Sequence, residues 1–248
     1  FNIYRFDSTK DVTYVFIAKK FIILTSENYR MASIVYAIDK QNKDEEREAI
    51  RDEHRAHLKS AGKKLLTSGA LLADDGVSVV GGLSIVDIDD EDDVEKFAYD
   101  DPYAKANIRK ETQVLTWTRD IWLTKCTHNP TFSPYVINIL FMKVGQNEKK
   151  LTRDVCQTFW TNTPNSSLIA AGTLGNFSNN SAVGILAVLY AENKEDVIKT
   201  INTWPLDLFC RLSELDITIT RWRRRWWEGE FLLNDFSNDN VSNIRSIY

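Results

Sequence analysis

The sequence is short of the residues that would tie it to several large classes of protein. Its three cysteines, Cys126, Cys156 and Cys210, form no C-x-x-C pair, which argues against a disulfide framework and for buried free thiols in a reducing compartment. Apolar runs are short: the longest near the N-terminus, Tyr14 to Leu24, is split by Lys19 and Lys20, well below the ~18 residues of a spanning helix. The net charge of −4 excludes a general affinity for nucleic acid. There is no G-x-G-x-x-G, no P-loop and no G-x-S-x-G, so nucleotide cofactors are not expected. Histidine is scarce; His54 and His57 are three apart, but no third ligand stands at metal-binding spacing. What remains, 43% hydrophobic and 27% charged residues, is the composition of a folded globular chain.

The most informative feature is an internal repeat. Leu65 to Pro102 aligns without gaps on Leu168 to Pro205 at an offset of 103, with eleven identical pairs in thirty-eight positions, where residue usage alone gives roughly two. Gly69/Gly172 would close apolar runs, Gly81/Gly184 would open the next, and Pro102/Pro205 would end helices. The first copy reads as a strand at Ile34–Ile38, a helix over Lys43–Ala61 ended by Gly62, strands at 65–72 and 83–88, a helix at 89–99 and a strand at 114–118. The second follows the same order, with strands at 135–142, near Leu168, near Gly184 and at 215–220, and helices at about 149–161 and 194–202. The order β-α-β-β-α-β defines an α+β, ferredoxin-like module whose sheet leaves one face in need of a cover. Two such modules, at 31–122 and 135–227 around a linker at 123–134, are expected to pack face to face as an intramolecular dimeric α+β barrel, with extensions at 1–30 and 228–248. A start at Phe1 fits a processed N-terminus, as left by a mitochondrial targeting peptide, or an artificial one; the alternative location is cytoplasmic.

The first copy resembles the YCII-related family of small dimeric α+β barrels. Arg51-Asp-Glu-His54 and His57-Leu58 on the first helix, the strand Leu65–Leu72 through Gly69, Ala73-Asp-Asp-Gly76, Gly81-Gly82 and Asp101-Pro-Tyr-Ala-Lys-Ala106 carry the resemblance. It departs from the family pattern at Ala70, at Gly82 and at Asn107, where Asn replaces Gly as the best substitute for a left-handed backbone. The resemblance implies an active pair at His54 and Asp101. The residues agree: Ile50, His54 and Leu58 fall at i, i+4 and i+8, placing His54 on the sheet-facing stripe, where a carboxylate could orient it as a general base. A packing histidine and a helix-ending Asp-Pro turn would look the same. Tyr103 could hydrogen-bond a ligand; Arg51 could bind a carboxylate or simply pair with Glu48.

At the same offset His54 becomes Gln157 and Asp101 becomes Trp204, so at most one site survives. The run Arg221-Trp222-Arg223-Arg224-Arg225-Trp226-Trp227 reads either as an anion site for RNA, acidic lipid or an acidic partner, or, slightly preferred, as the end of the last strand with solvated arginines. Two functions follow. The favoured one is a non-catalytic accessory subunit docked on the other subunits of a large, mitochondrial assembly; the second is a lyase- or isomerase-type enzyme using His54 and Asp101.

Overall fold

The computed structural model describes residues 12–17, 20–25, 31–122, 132–141, 159–160, 167–178, 182–206 and 215–227. The three cysteines, Gln157, nearly all of the helix expected at 149–161, most of the linker and the tail from 228 lie outside the described residues. Residues Phe1–Arg30 and Met31–Tyr248 form separate compact units. The first contains an antiparallel hairpin of β1 (Val12–Ile17) and β2 (Lys20–Thr25).

The second unit runs β3 (Met31–Asp39), α1 (Asp44–Ala49), α2 (Arg51–Ser60), β4 (Leu65–Leu72), β5 (Val79–Val86), α3 (Glu91–Asp100), α4 (Pro102–Lys105) and β6 (Arg109–Thr118). It continues with β7 (Ile121–Trp122), β8 (Ser133–Phe141), β9 (Leu168–Gly175), β10 (Ala182–Ala191), α5 (Lys194–Ile201) and β11 (Leu215–Trp227). Local chemistry sets the helix ends. Asp90 and Asn193 accept the Asp93 and Asp196 amides, each at 3.0 Å, capping α3 and α5. Gly62, at φ +56°, turns the chain out of the helical segment. Asn107 adopts φ 57° ahead of β6, and its side-chain oxygen accepts Lys40 Nζ at 2.5 Å.

The strands close on themselves. Around the ring the order is β4-β5-β3-β6-β9-β10-β8-β11 and back to β4, every neighbour antiparallel, with β7 added on β9. The fold is therefore mixed α+β, a closed antiparallel barrel with few helices. Side chains alternate across such a sheet. Ile34, Tyr36, Leu83, Ile85, Trp117, Leu186 and Val188 fill the interior, while Val35, Val86, Val94 and Ala98 pack outside it around α3. A second outer layer joins Ile137, Ile139, Leu189, Val197, Ile201 and Trp204 around α5.

The ring closes across two seams where an indole meets a glycine. At one, a Cβ on Gly69 would lie 2.5 Å from the Arg223 carbonyl oxygen and 2.6 Å from the Trp222 ring nitrogen. At the other, a Cβ on Gly172 would lie 1.5 Å from the Thr118 carbonyl oxygen and 2.9 Å from the Trp117 ring. Neither position tolerates a side chain without opening the ladder.

Several expectations are corrected. The two sheets are not separate layers facing each other; hydrogen bonds join them edge to edge at β6–β9 and β11–β4. The first helix breaks at Ile50 (φ −115°, ψ 16°), so Ile50 leaves the stripe and no residue of α2 is fully buried. Gly81 and Gly82 lie inside β5 rather than in a turn, and a Cβ on Gly81 would stand 2.1 Å from the Ala37 carbonyl oxygen. Pro102 opens α4 at its first position rather than merely ending α3. The strand expected at 114–118 starts at Arg109, and β8 takes Ser133 and Pro134 from the linker. The last strand continues through Trp227, pairing β8 and then β4. Within it Trp222 is buried, and Arg221, Arg223 and Arg224 are half-buried rather than solvated, with Arg221 bonded to Ser133 Oγ at 2.5 Å. The side chains of Arg225, Trp226 and Trp227 lie outside those described.

Candidate active site

The Asp-Pro-Tyr turn between α3 and β6 builds the site. Proline at the first position of α4 fixes the turn, and Asp101 caps it, its Oδ1 accepting the Tyr103 amide at 3.0 Å. The same carboxylate reaches α2. His54 Nδ1 stands 2.7 Å from Asp101 Oδ1, and the Tyr103 ring stacks on the imidazole at 4.1 Å and 22°. Sequence distance separates the two members of the pair by 47 residues, and the fold brings them together.

Sequence reasoning missed the rest of the network. Arg109, the first residue of β6, donates Nη2 to Asp101 Oδ2 at 3.1 Å and Nη1 to Asp39 Oδ1 at 2.7 Å. Arg47 on α1 donates to the other Asp39 oxygen, and its guanidinium lies 4.2 Å from the Tyr103 centroid. The visible clue was an Arg and an Asp at facing ends of adjacent strands, but only register identifies them as a pair: Asp39 stands opposite Arg109 past a bulge in β3–β6. Arg51 takes the plainer of its two readings, bonded to Glu48 at 2.8 Å. His57 turns away from His54, its Nε2 2.9 Å from the Phe97 carbonyl oxygen. No group of three metal-holding side chains occurs among the described residues.

Electrostatics assigns the protons. Burial alone would raise the Asp101 carboxyl, but the hydrogen bond from His54, the Arg109 guanidinium and the Tyr103 amide outweigh it and hold the group at about 2. Burial, the largest influence on His54, lowers its pKa below 6.5; Asp101 offsets part of this, and Arg109 and Arg47 add to it. At neutral pH the carboxylate is thus ionised and the imidazole neutral. An ionised carboxylate only accepts, so Nδ1 carries the hydrogen and Nε2 keeps its lone pair. The His54 ring protons in an NMR titration should therefore report a midpoint below 6.5. A midpoint above it would make the ring a resident acid instead. Because the folded-state value is depressed, the stability tied to the neutral ring is present above 6.5 and is lost as pH falls below it.

Beside this network opens a cleft of about 610 Å³, lined by Ile38, Asp39, Arg47, Val79, Val80 and Lys110 among others. Neither His54 nor Asp101 lines it; Asp39 and Arg47 are the wall shared by cleft and network.

A closed α+β barrel with a part-buried histidine–carboxylate pair on the helical side of its first half is the class that fold and site define. Residues 31–118 match the model of the YCII-related domain family, so the first half of the barrel is a YCII-related domain. Among solved structures, the 5-chloro-2-hydroxyhydroquinone dehydrochlorinase of Burkholderia phenoliruptrix AC1100, in complex with 2,5-dihydroxybenzoquinone, is 25% identical, with 34% of this chain and 89% of that one covered and a TM-score of 0.31. A mutant chlorite dismutase of Candidatus Nitrospira defluvii, in complex with cyanide, is 10% identical over 79% of this chain and 92% of that one, with a TM-score of 0.52. The second likeness shows the barrel fold alone. No curated protein matches the sequence.

Proposed function

We propose that the chain is a small-molecule enzyme of the lyase or isomerase type, in which His54 acts as general base and returns the proton to the product. The observation that carries this reading is the 2.7 Å contact between His54 Nδ1 and an Asp101 carboxylate fixed by three donors. Asp101 orients the ring and stabilises the imidazolium formed when Nε2 takes a proton, and Arg109 holds Asp101 in place. Tyr103 aligns the imidazole by stacking, and no described residue hydrogen-bonds its hydroxyl, which stays available to a substrate oxygen.

The barrel is a duplicated module with one site erased. β9-β10-β8-β11 repeats the strand order of β4-β5-β3-β6, and Trp204, aligned with Asp101, is buried with its ring 6.0 Å from Phe159 and 5.7 Å from Trp160. An indole in that packing offers no carboxylate to orient a base. The accessory-subunit reading drew on the erased second site, on the extensions at 1–30 and 228–248 and on the Arg/Trp run; β-ladder pairing accounts for the backbone of that run, and the geometry of His54 is the better guide.

The test is deuterium exchange at acidic C–H positions of small phenols and keto acids in D2O, followed by proton NMR. The wild-type chain should exchange at least one class, and His54→Ala should lose about 10³-fold of that rate. A His54→Ala variant exchanging at the wild-type rate would remove the dyad from the chemistry.

A further inference from the structure

The barrel interior is apolar except toward one end. On β3, Tyr36 stands opposite Leu83 of β5 and Gln113 of β6; on β8, Asn138 stands opposite Leu186 of β10 and Thr218 of β11. Tyr36 and Asn138 thus hold corresponding places in the two four-strand halves. Two residues further on, Ile38 faces Glu111 and Leu140 faces Asp216. Ile38 and Leu140 pack on the interior cluster, and directly paired residues share a face, so Glu111 and Asp216 belong to the interior side as well. Because β6 joins β9 and β11 joins β4, corresponding positions lie at the same end of the barrel.

Several polar atoms there lack a partner. Tyr36 and Asn138 are each 4% exposed; Asn138 Oδ1 has no hydrogen bond, and Tyr36 Oη has none within 3.5 Å, although the Thr220 side chain lies near enough to act on it. Gln113 gives its Nε2 to Glu111 at 2.9 Å, and its own Oε1 is unbonded. Glu111 and Asp216 are exposed at the rim, and among the described residues neither has an ion-pair partner. Burial raises the Tyr36 hydroxyl, hydrogen bonding with the Thr220 side chain offsets part of that, and the two carboxylates raise it further, which places their charge within reach of the same oxygen. A buried orphan oxygen costs roughly 1–3 kcal/mol, so what is missing is a hydrogen-bond donor. Two carboxylates with no cation beside them among the described residues make the fitting donor a cation.

We propose that this end of the barrel binds a short aliphatic primary amine in its ammonium form, the N–H groups meeting Tyr36, Asn138 and the Glu111 and Asp216 carboxylates and the hydrocarbon resting on Ile38 and Leu140. The site is distinct from the His54 network and needs no chemistry there. It is tested by calorimetric titration and thermal melting with n-propylammonium chloride, against sodium chloride at equal ionic strength and sodium propionate. Only propylammonium should bind saturably and raise the melting temperature. Tyr36→Phe, which keeps the ring in place, should weaken that binding about tenfold, as expected for a hydrogen bond to a charged group. Glu111→Gln combined with Asp216→Asn should abolish it, while His54→Ala should leave it unchanged. Equal effects from sodium chloride or propionate, or a Tyr36→Phe variant binding as the wild type does, would overturn the proposal.

Discussion

Gly172→Ala should lose about 4 kcal/mol or more of folding stability, lowering the melting temperature by roughly 10 °C, in a scanning-fluorimetry comparison with the wild type. The added Cβ would sit 1.5 Å from the Thr118 carbonyl oxygen and 2.7 Å from its carbon. Those are backbone atoms of the neighbouring strand, so no rotamer change relieves the clash. The ladder must part where Thr173 N donates to Thr118 Oγ1 at 2.9 Å and where Trp117 pairs with Leu174. Trp117, whose ring nitrogen donates to the Leu186 carbonyl at 3.3 Å, would be expelled from the interior, and its emission should shift red. Gly82→Ala is the control: its nearest neighbours would be 3.6 Å away, an ordinary contact, and its stability should stay within about 0.5 kcal/mol. Equal stability of the two variants would mean that the seam is not closed in solution.

Asp101→Asn should be the most informative change at the site. Asparagine still caps α4 and still accepts from His54, but its amide would present a donor to Arg109, which already donates to Asp101 Oδ2 at 3.1 Å. Removing one partner of a buried ion pair destabilises by about 3–5 kcal/mol at most, and here Asp39 continues to neutralise Arg109, so a loss of about 2 kcal/mol is expected. The pH dependence separates charge from shape. Asp101 is depressed from 3.8 to about 2, so its contribution is present above pH 3.8 and disappears as pH falls through the folded value. Over that interval the wild type should lose about 2 kcal/mol that the variant lacks. Denaturant melts at stepped pH read this difference, and parallel curves for the two proteins would refute the assigned ionisation. The exchange rate should fall with it, because an imidazolium next to an amide is less favoured than one next to a carboxylate.

Much of this architecture was visible before the coordinates. Gly69 and Gly172 were read as closing apolar runs; both instead lie within strands, β4 and β9, at places where another backbone comes close. His54 and Asp101 were implied by the resemblance to the YCII-related family, and the helical spacing of His54 agreed with it. Arg109 and Asp39 were not, because their partnership exists only once β3 and β6 are in register, and a strand's ends are what periodicity defines worst. The Arg221–Trp227 run does end the last strand, but the expected solvation of its arginines failed for a related reason. Arginines at 221, 223, 224 and 225 look solvated in one dimension, whereas a strand shared between β8 and β4 half-buries those whose side chains are described. Ile50 failed as a stripe residue because a break in backbone angles erases helical phase, and composition gives no warning of one.

A ring of strands that closes on itself leaves little raw border on which a stranger's chain could lay down another rung. Among the described residues such a margin is confined to the two-residue β7, appended to β9, and to the part of β6 ahead of Thr116, which pairs with β3 alone. Closure therefore guards a sequence this rich in valine, isoleucine and leucine against fibrous self-assembly for as long as both glycine–indole seams stay shut.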